Sequence, residues 1–212
     1  TTENVNLPAA TAAEIYGQIA SDLKNAITLL PNVPYTQTEQ GRVTKWAAQA
    51  LMARIFLFYT GFYQQSEITL PEGGNVTKQN VIAWLEDAYA NSGHKLVGDF
   101  HELWPYTNSL SIKDYKYIQD YMKKTGKTLK YASDNGARNP ETVFALQFSN
   151  FANWDIRRGY SNTYQLFYAL RGLQNLENTY PFAGGWGQGN SVPTTLVNQW
   201  KADEPKDVRL WA

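Results

Sequence analysis

Apolar and polar residues alternate with a helical period in the N-terminal part of the chain. Thr11 and Glu14 have the spacing of a capping box, in which each side chain binds a free amide of the first helical turn. Apolar residues then recur at intervals of three and four positions until Pro31, which ends the run. The pattern therefore predicts an amphipathic helix over residues 11–30.

A second helix is predicted to begin at Thr44, within the run GRVTKWAAQALMARIFLFYTGFY of residues 41–63. Only Lys45, Gln49 and Arg54 interrupt its apolar positions. A helix that is apolar nearly all round is buried on most of its sides. We therefore expect neighbouring helices to enclose this one in a stack, as in a helical solenoid.

The rest of the chain gives weaker patterns. After the turn-rich loop ITLPEGGN, a third helix is predicted from Thr77 to the stop signal at Gly93. Its inward face is expected to consist of Val81, Ile82, Leu85, Ala88 and Tyr89. Shorter helices are predicted over residues 111–124, 161–171 and 194–201, and residues 142–149 are expected to form a buried strand or an extended core segment.

Composition narrows the possible functions. The chain has 19 basic and 19 acidic residues, so it has no positive excess with which to hold a nucleic acid. Cysteine is absent, which excludes disulfides, thiolate metal sites and thiol nucleophiles. Aromatic residues make up 14% of the chain, and Tyr and Trp suit half-wetted binding surfaces as well as cores.

The sequence offers little support for catalysis. Its two histidines, His94 and His101, flank a glycine and fit no known catalytic spacing, so we expect them to be surface or loop residues. Glu86 and Asp87 are adjacent, and on a helix they point about 100° apart, which is unsuited to a pair of acids facing one bond. We therefore expect a binding protein without enzymatic activity, metal or cofactor.

Several segments together resemble one family. The first two predicted helices, IYGQIASDLKNAITLLP followed by GRVTKWAAQALMARIFLFY, resemble the SusD/RagB family of outer-membrane nutrient-binding lipoproteins. The segments SGHKLVGDFHELW, NPETVFALQFS and VPTTLVNQWKADEPKDVR follow in the family's order. The resemblance spans residues 12–209, and it is specific through the order and spacing of its motifs rather than through any single motif.

The resemblance implies a mainly α fold, in which tetratricopeptide-like helix pairs form a SusD-like stack and the loop-rich second half contains little β structure. Residues 1–93 are expected to form the helical part and residues 94–212 a loop-rich, ligand-binding part packed on it. The two parts are expected to form one continuous domain truncated at both ends, because family members are longer and begin with a lipidated cysteine.

The resemblance also implies a function. Such proteins capture a glycan, or in some members a peptide, at the outward-facing surface of a Gram-negative outer membrane. They pass it to a TonB-dependent, SusC-like transporter, and they are held to the membrane through a lipid anchor. The alternative left open by the residues themselves is a helical-repeat module that binds a peptide or protein partner along its concave face.

The candidate ligand site lies in residues 153–160 and around Trp186. A protein holds a sugar by stacking an aromatic ring on its C–H face and by offering polar partners to its hydroxyls. The expected stacking residues are Trp154, Tyr160 and Trp186, and the expected polar partners are Asn153, Asp155 and Arg157. The alternative for each ring is that it folds back to fill the core.

Overall fold

The structure is a computed structural model that describes residues 8–103, 116–147, 192–207 and 209. Its helices are α1 (Ala12–Leu29), α2 (Lys45–Phe62), α3 (Lys78–Asn91), α4 (Lys116–Thr125) and α5 (Thr194–Asp203), with short 3₁₀ helices at Tyr35–Gln37, Phe100–Leu103 and Asp134–Gly136. Strands β1 (Ile68–Thr69) and β2 (Asn75–Val76) form an antiparallel pair, with Ile68 opposite Val76. The predicted mainly α fold is confirmed, whereas its tetratricopeptide-like character stays a prediction.

The described residues fall into two compact units. The first unit holds residues 8–95 together with Glu141–Ala145, and it contains α1, α2, α3 and the β1–β2 hairpin. The second unit holds the described residues of Leu96–Pro140 and Leu146–Ala212, and it contains α4 and α5. The expected organisation into parts 1–93 and 94–212 stays a prediction.

Helix α1 begins where the sequence predicts it. The backbone amide of Thr11 donates to Glu14 Oε2 at 2.7 Å, and the amide of Glu14 donates to Thr11 Oγ1 at 3.3 Å, so both arms of the capping box are present. The helix buries Ala20 and Ile27 against α2 and the hairpin. It ends when Leu30 turns to an extended conformation before the proline.

Helix α2 also begins at its predicted cap, since the Thr44 hydroxyl accepts a hydrogen bond from the Ala47 amide at 3.1 Å. Its buried side chains are Trp46, Ala48, Gln49, Met52, Ala53, Phe56 and Tyr59. The expectation that the helix is buried on most sides is wrong for another face, where Leu51, Leu57, Phe58 and Phe62 are exposed. The reason is that α1, α3 and the hairpin contact only part of the helix surface.

The run predicted as a plain loop contains the β1–β2 hairpin. Gly73 and Gly74 take positive φ angles of 93° and 81°, which let the chain reverse between the strands. The buried side chains of Ile68 and Val76 join the core of the first unit. The hairpin also packs closely on α1 at Gly17. A Cβ at this position would lie only 2.6 Å from the Thr69 carbonyl oxygen.

Helix α3 has its predicted boundaries, but its inward face is predicted only in part, correctly for Val81 and wrongly for Ile82, Leu85 and Tyr89. The Thr77 hydroxyl caps it, and Gly93 follows its end with a φ of 78°. Val81 and Trp84 pack against the core, whereas Ile82, Leu85 and Tyr89 are exposed. The packed residues Val81 and Trp84 each precede an exposed one, Ile82 or Leu85, by one position, which is about 100° around the helix.

Three further predictions can be compared with the described residues. In α4, Ile118 is fully buried, while residues 111–115 of that predicted helix lie outside the described residues. Residues 142–147 form no strand and are exposed, so the buried-segment expectation is wrong there. Helix α5 follows Pro193 without a side-chain cap. The predicted helix 161–171 also lies outside the described residues.

Candidate functional site

The ligand site expected from the sequence lies outside the described residues. This holds for all six of its members: Trp154, Tyr160, Trp186, Asn153, Asp155 and Arg157. Their arrangement therefore stays a prediction. Within the described part of the chain, four other features are candidates for a functional site: two polar clusters, an apolar groove and a cluster of aromatic rings.

The first feature is a hydrogen-bonded cluster around Asp99 in the second unit. Asp99 Oδ1 lies 2.7 Å from His101 Nδ1, while Asp99 Oδ2 accepts from Tyr121 Oη at 3.0 Å and from Lys127 Nζ at 2.8 Å. Burial of the carboxylate opposes its ionisation, but the hydrogen bonds that it accepts, first from Lys127 and then from His101, outweigh burial and hold its pKa well below the ordinary value.

This cluster has a structural role. A carboxylate that is held ionised by several donors is a poor proton acceptor near neutral pH. Its bonds connect the segment before the Phe100–Leu103 turn to α4 and to the loop after it, because Tyr121 lies in α4 and Lys127 follows that helix. Within the described ranges, no group of three or more His, Asp or Glu side chains is arranged to hold a metal ion.

The second feature is a polar network between α2 and α3. Asp87 Oδ2 accepts from Lys45 Nζ at 2.7 Å and from Gln49 Nε2 at 2.8 Å, and its Oδ1 accepts from Asn91 Nδ2 at 2.8 Å. The hydrogen bond from Lys45, followed by those from Gln49 and Asn91, lowers the pKa of Asp87 to about 2. The network explains the orientation of α3, since Asp87 has to face the buried Gln49.

The third feature is a groove of about 470 Å³ in the first unit. Apolar side chains from α1, from α2 and the residue before its cap, and from the segment around residue 143 line it: Leu23, Ala26, Val43, Ala47, Ala48, Ala50, Leu51, Val143 and Phe144, with Arg54 as the one charged member. Such a lining lacks the convergent polar groups that orient a small ligand. The groove therefore indicates apolar contact rather than selective small-molecule recognition.

The fourth feature is the aromatic cluster, which we define as Tyr16, Phe58, Tyr59, Phe62 and Tyr63. Its rings of Tyr16, Phe58 and Phe62 lie nearly parallel, with interplanar angles of 12° between Tyr16 and Phe58 and between Phe58 and Phe62. Tyr59 is buried and anchors the cluster to the core, whereas Phe58 and Phe62 are exposed. An anchored set of rings with open faces is suited to stacking against a ligand.

The aromatic cluster was not predicted from the sequence, because α2 was expected to be buried on most of its sides. The signal was present in the run FLFYTGFY, which continues the apolar cover of the helix to its last residue. A helix that meets two helical neighbours and a short hairpin cannot bury every side. Part of its apolar surface therefore remains exposed, and the structure identifies which part.

Comparison with known proteins gives one match. Residues 1–57 match a SusD-like family whose description is starch-binding, associating with the outer membrane. No curated protein and no solved structure matches the chain. In the part of the chain that the structure describes, no helix combines the length and the apolar character needed to cross a membrane. The resemblance to the SusD/RagB family is therefore confirmed for residues 1–57, and over the rest of the chain it stays a prediction.

Proposed function

We propose that this chain belongs to a cell-surface protein that binds oligosaccharide or polysaccharide at an outer membrane. The observation that carries the proposal is the match of residues 1–57 to a family described as starch-binding and associating with the outer membrane. The balanced charge of the chain supports a neutral ligand, because a polyanion would require a basic surface. The chain binds its ligand and performs no reaction on it.

The finer proposal concerns what happens to the bound glycan. The protein faces outward from the surface of a Gram-negative cell, is held there by a lipid anchor, and passes its ligand to a TonB-dependent, SusC-like transporter. Such a transfer requires release, and the exchange of hydroxyl–water for hydroxyl–protein hydrogen bonds gives little net free energy. We therefore propose an affinity that is modest enough for the glycan to leave.

The proposed contact residues are those that the sequence indicates. Trp154, Tyr160 and Trp186 supply aromatic faces for the C–H faces of sugar rings. Asn153, Asp155 and Arg157 supply donors and acceptors to the ring hydroxyls. The spacing and tilt of the three rings would select among glycans.

The first experiment is a titration of the intact chain with plant, host and microbial polysaccharides, followed through its tryptophan fluorescence. Retardation in native gels that contain each polysaccharide provides the cross-check. A saturable response to one class of polymer supports the proposal and identifies the substrate class. A folded chain that responds to none of them contradicts it and favours the peptide-binding alternative.

The site assignment is tested with the single variants Trp154→Ala and Trp186→Ala. Loss of a stacking ring should cost roughly 1–3 kcal/mol of binding free energy if that ring is a hot spot. Tyr89→Ala is the matched control, because Tyr89 is an aromatic residue of α3 that is 91% exposed and lies outside the proposed site. A folded Trp154→Ala or Trp186→Ala protein that binds like the parent removes that ring from the site.

A further inference from the structure

Phe62 and Tyr63, at the end of α2, form a right-angled corner of two aromatic rings. Their centroids lie 4.9 Å apart, and their planes cross at 80°. Phe62 is 69% exposed, so one ring presents an open face. The Phe62 ring also stacks on Phe58, with a centroid distance of 5.4 Å and an interplanar angle of 12°. The corner therefore presents two partly exposed aromatic rings at nearly right angles to each other.

The segment that carries the corner contains polar but no charged side chains. Residues 55–66, IFLFYTGFYQQS, contain no acidic or basic side chain. Two exposed glutamines follow the rings directly, Gln64 and Gln65. An aromatic surface bordered by amides, without ionic groups, matches a neutral ligand that has both C–H faces and hydroxyls.

The two glutamine side chains are held in place by the backbone. Gln64 Nε2 donates to the Gly61 carbonyl oxygen, and Gln65 Nε2 donates to the Tyr63 carbonyl oxygen at 2.9 Å. Gln64 also has a φ of 55°, a left-handed conformation that is uncommon for a residue other than glycine. Such strain concentrates at functional sites. The amides are thus ordered beside the rings before any ligand arrives, which reduces the entropy lost on binding.

We propose that Phe62, Tyr63, Gln64 and Gln65 form a saccharide-binding corner. A pyranose ring stacks its C–H face on Phe62, its edge meets Tyr63, and its hydroxyls bind the glutamine amides and the Tyr63 hydroxyl. The inference rests on the proposed function for its ligand class, and it adds four residues of the first unit to the proposed ligand contacts.

The exposed surface at the corner suits a sugar better than a second copy of the chain. A stable protein interface buries on the order of 800 Å² on each partner. A whole aromatic side chain accounts for roughly 150–250 Å², and the rings of the corner are only partly exposed. A short oligosaccharide needs no more than one or two such rings. A dimer needs more surface than the corner provides, and it would also have to cover the exposed Leu57 and Phe58 of the same helix.

The test uses the intact chain and isothermal titration calorimetry with three neutral probes: maltoheptaose, cellohexaose and mannohexaose. Phe62→Ala should raise the Kd of the probe that binds by roughly 5- to 150-fold. Phe62→Trp keeps an aromatic face and should restore binding. Leu57→Ala is the matched control and should leave Kd unchanged, because Leu57 is 68% exposed on the same helix and lies about 140° around its axis from Phe62.

Each other outcome overturns the inference in a recognisable way. If Phe62→Ala binds the probe as tightly as the parent, the proposed saccharide-binding corner is wrong, while the proposed glycan function stands. If the parent binds none of the neutral probes but does bind a charged polysaccharide, the proposed corner is again wrong and the proposed glycan function still stands. A parent that binds no glycan contradicts both. Sedimentation velocity is run alongside, and loss of self-association in Phe62→Ala without loss of saccharide binding would identify the corner as a protein interface.

Discussion

Gly17 is the position at which a single methyl group should disturb the fold of the first unit. The residue lies in the interior of α1 and is buried against β1. A Cβ at this position would lie 2.6 Å from the Thr69 carbonyl oxygen, closer than real Cβ contacts allow. Because the obstructing atom belongs to the backbone, relief requires α1 and the hairpin to separate rather than a side chain to rotate.

The magnitude follows from two opposing effects of Gly17→Ala. Alanine is favoured over glycine inside a helix by about 1 kcal/mol. Overpacking by one methyl group costs about 1–3 kcal/mol. The net expectation is destabilisation by up to about 2 kcal/mol. Gly61→Ala in α2 is the matched control, because nothing lies within 4 Å of a Cβ there, so this variant should be neutral or stabilised by up to about 1 kcal/mol.

Urea denaturation followed by far-ultraviolet circular dichroism measures both variants against the parent. The expected order of denaturation midpoints is Gly61→Ala at or above the parent, with Gly17→Ala below it, at unchanged m-values. A Gly17→Ala protein as stable as Gly61→Ala would show that α1 and β1 do not approach as closely as the structure describes. The reasoning about this contact would then be wrong.

Two further predictions concern caps and charges in the same unit. Thr44→Ala removes the hydroxyl that accepts from the Ala47 amide and should lower the free energy of unfolding by about 1 kcal/mol, whereas Thr44→Ser should keep most of it; equal loss in both variants would contradict a capping role. Asp87→Asn should be less stable than the parent at neutral pH. The pKa of Asp87 is lowered from 3.8 to about 2 in the fold. The difference in unfolding free energy between the parent and Asp87→Asn should therefore have its full size above pH 3.8 and shrink as the pH falls towards 2. A difference in denaturation midpoint that stays constant through that window would show that the charge of Asp87 is not involved.

The helix boundaries of the first unit could be predicted from the sequence because caps are local. A Thr hydroxyl at the cap reaches an amide three residues later in the same turn, so Thr11, Thr44 and Thr77 each identify a helix start without reference to any neighbour. Gly93 identifies a helix end for a similar reason, since only its own φ is involved. The mainly α fold follows from the same local signals.

The inward faces could not be predicted in the same way. In α3, two apolar stripes lie one residue apart, and periodicity alone does not choose between them. The choice depends on the contact of Asp87 with Lys45 and Gln49 on another helix. The sequence also gives no local signal for the burial of Gln49, whose side-chain nitrogen donates to Asp87 on another helix.

By itself, the sequence determined where the three helices of the first unit begin and end, the absence of thiol chemistry, and the likeness of residues 1–57 to a family described as starch-binding. The six residues proposed to hold the glycan are chosen by their chemistry and await a test. Only the tertiary structure decided that the end of α2 is an exposed aromatic corner and that a hairpin packs on Gly17. The physical reason is that capping depends on atoms within one turn, whereas burial depends on which distant segments cover a surface.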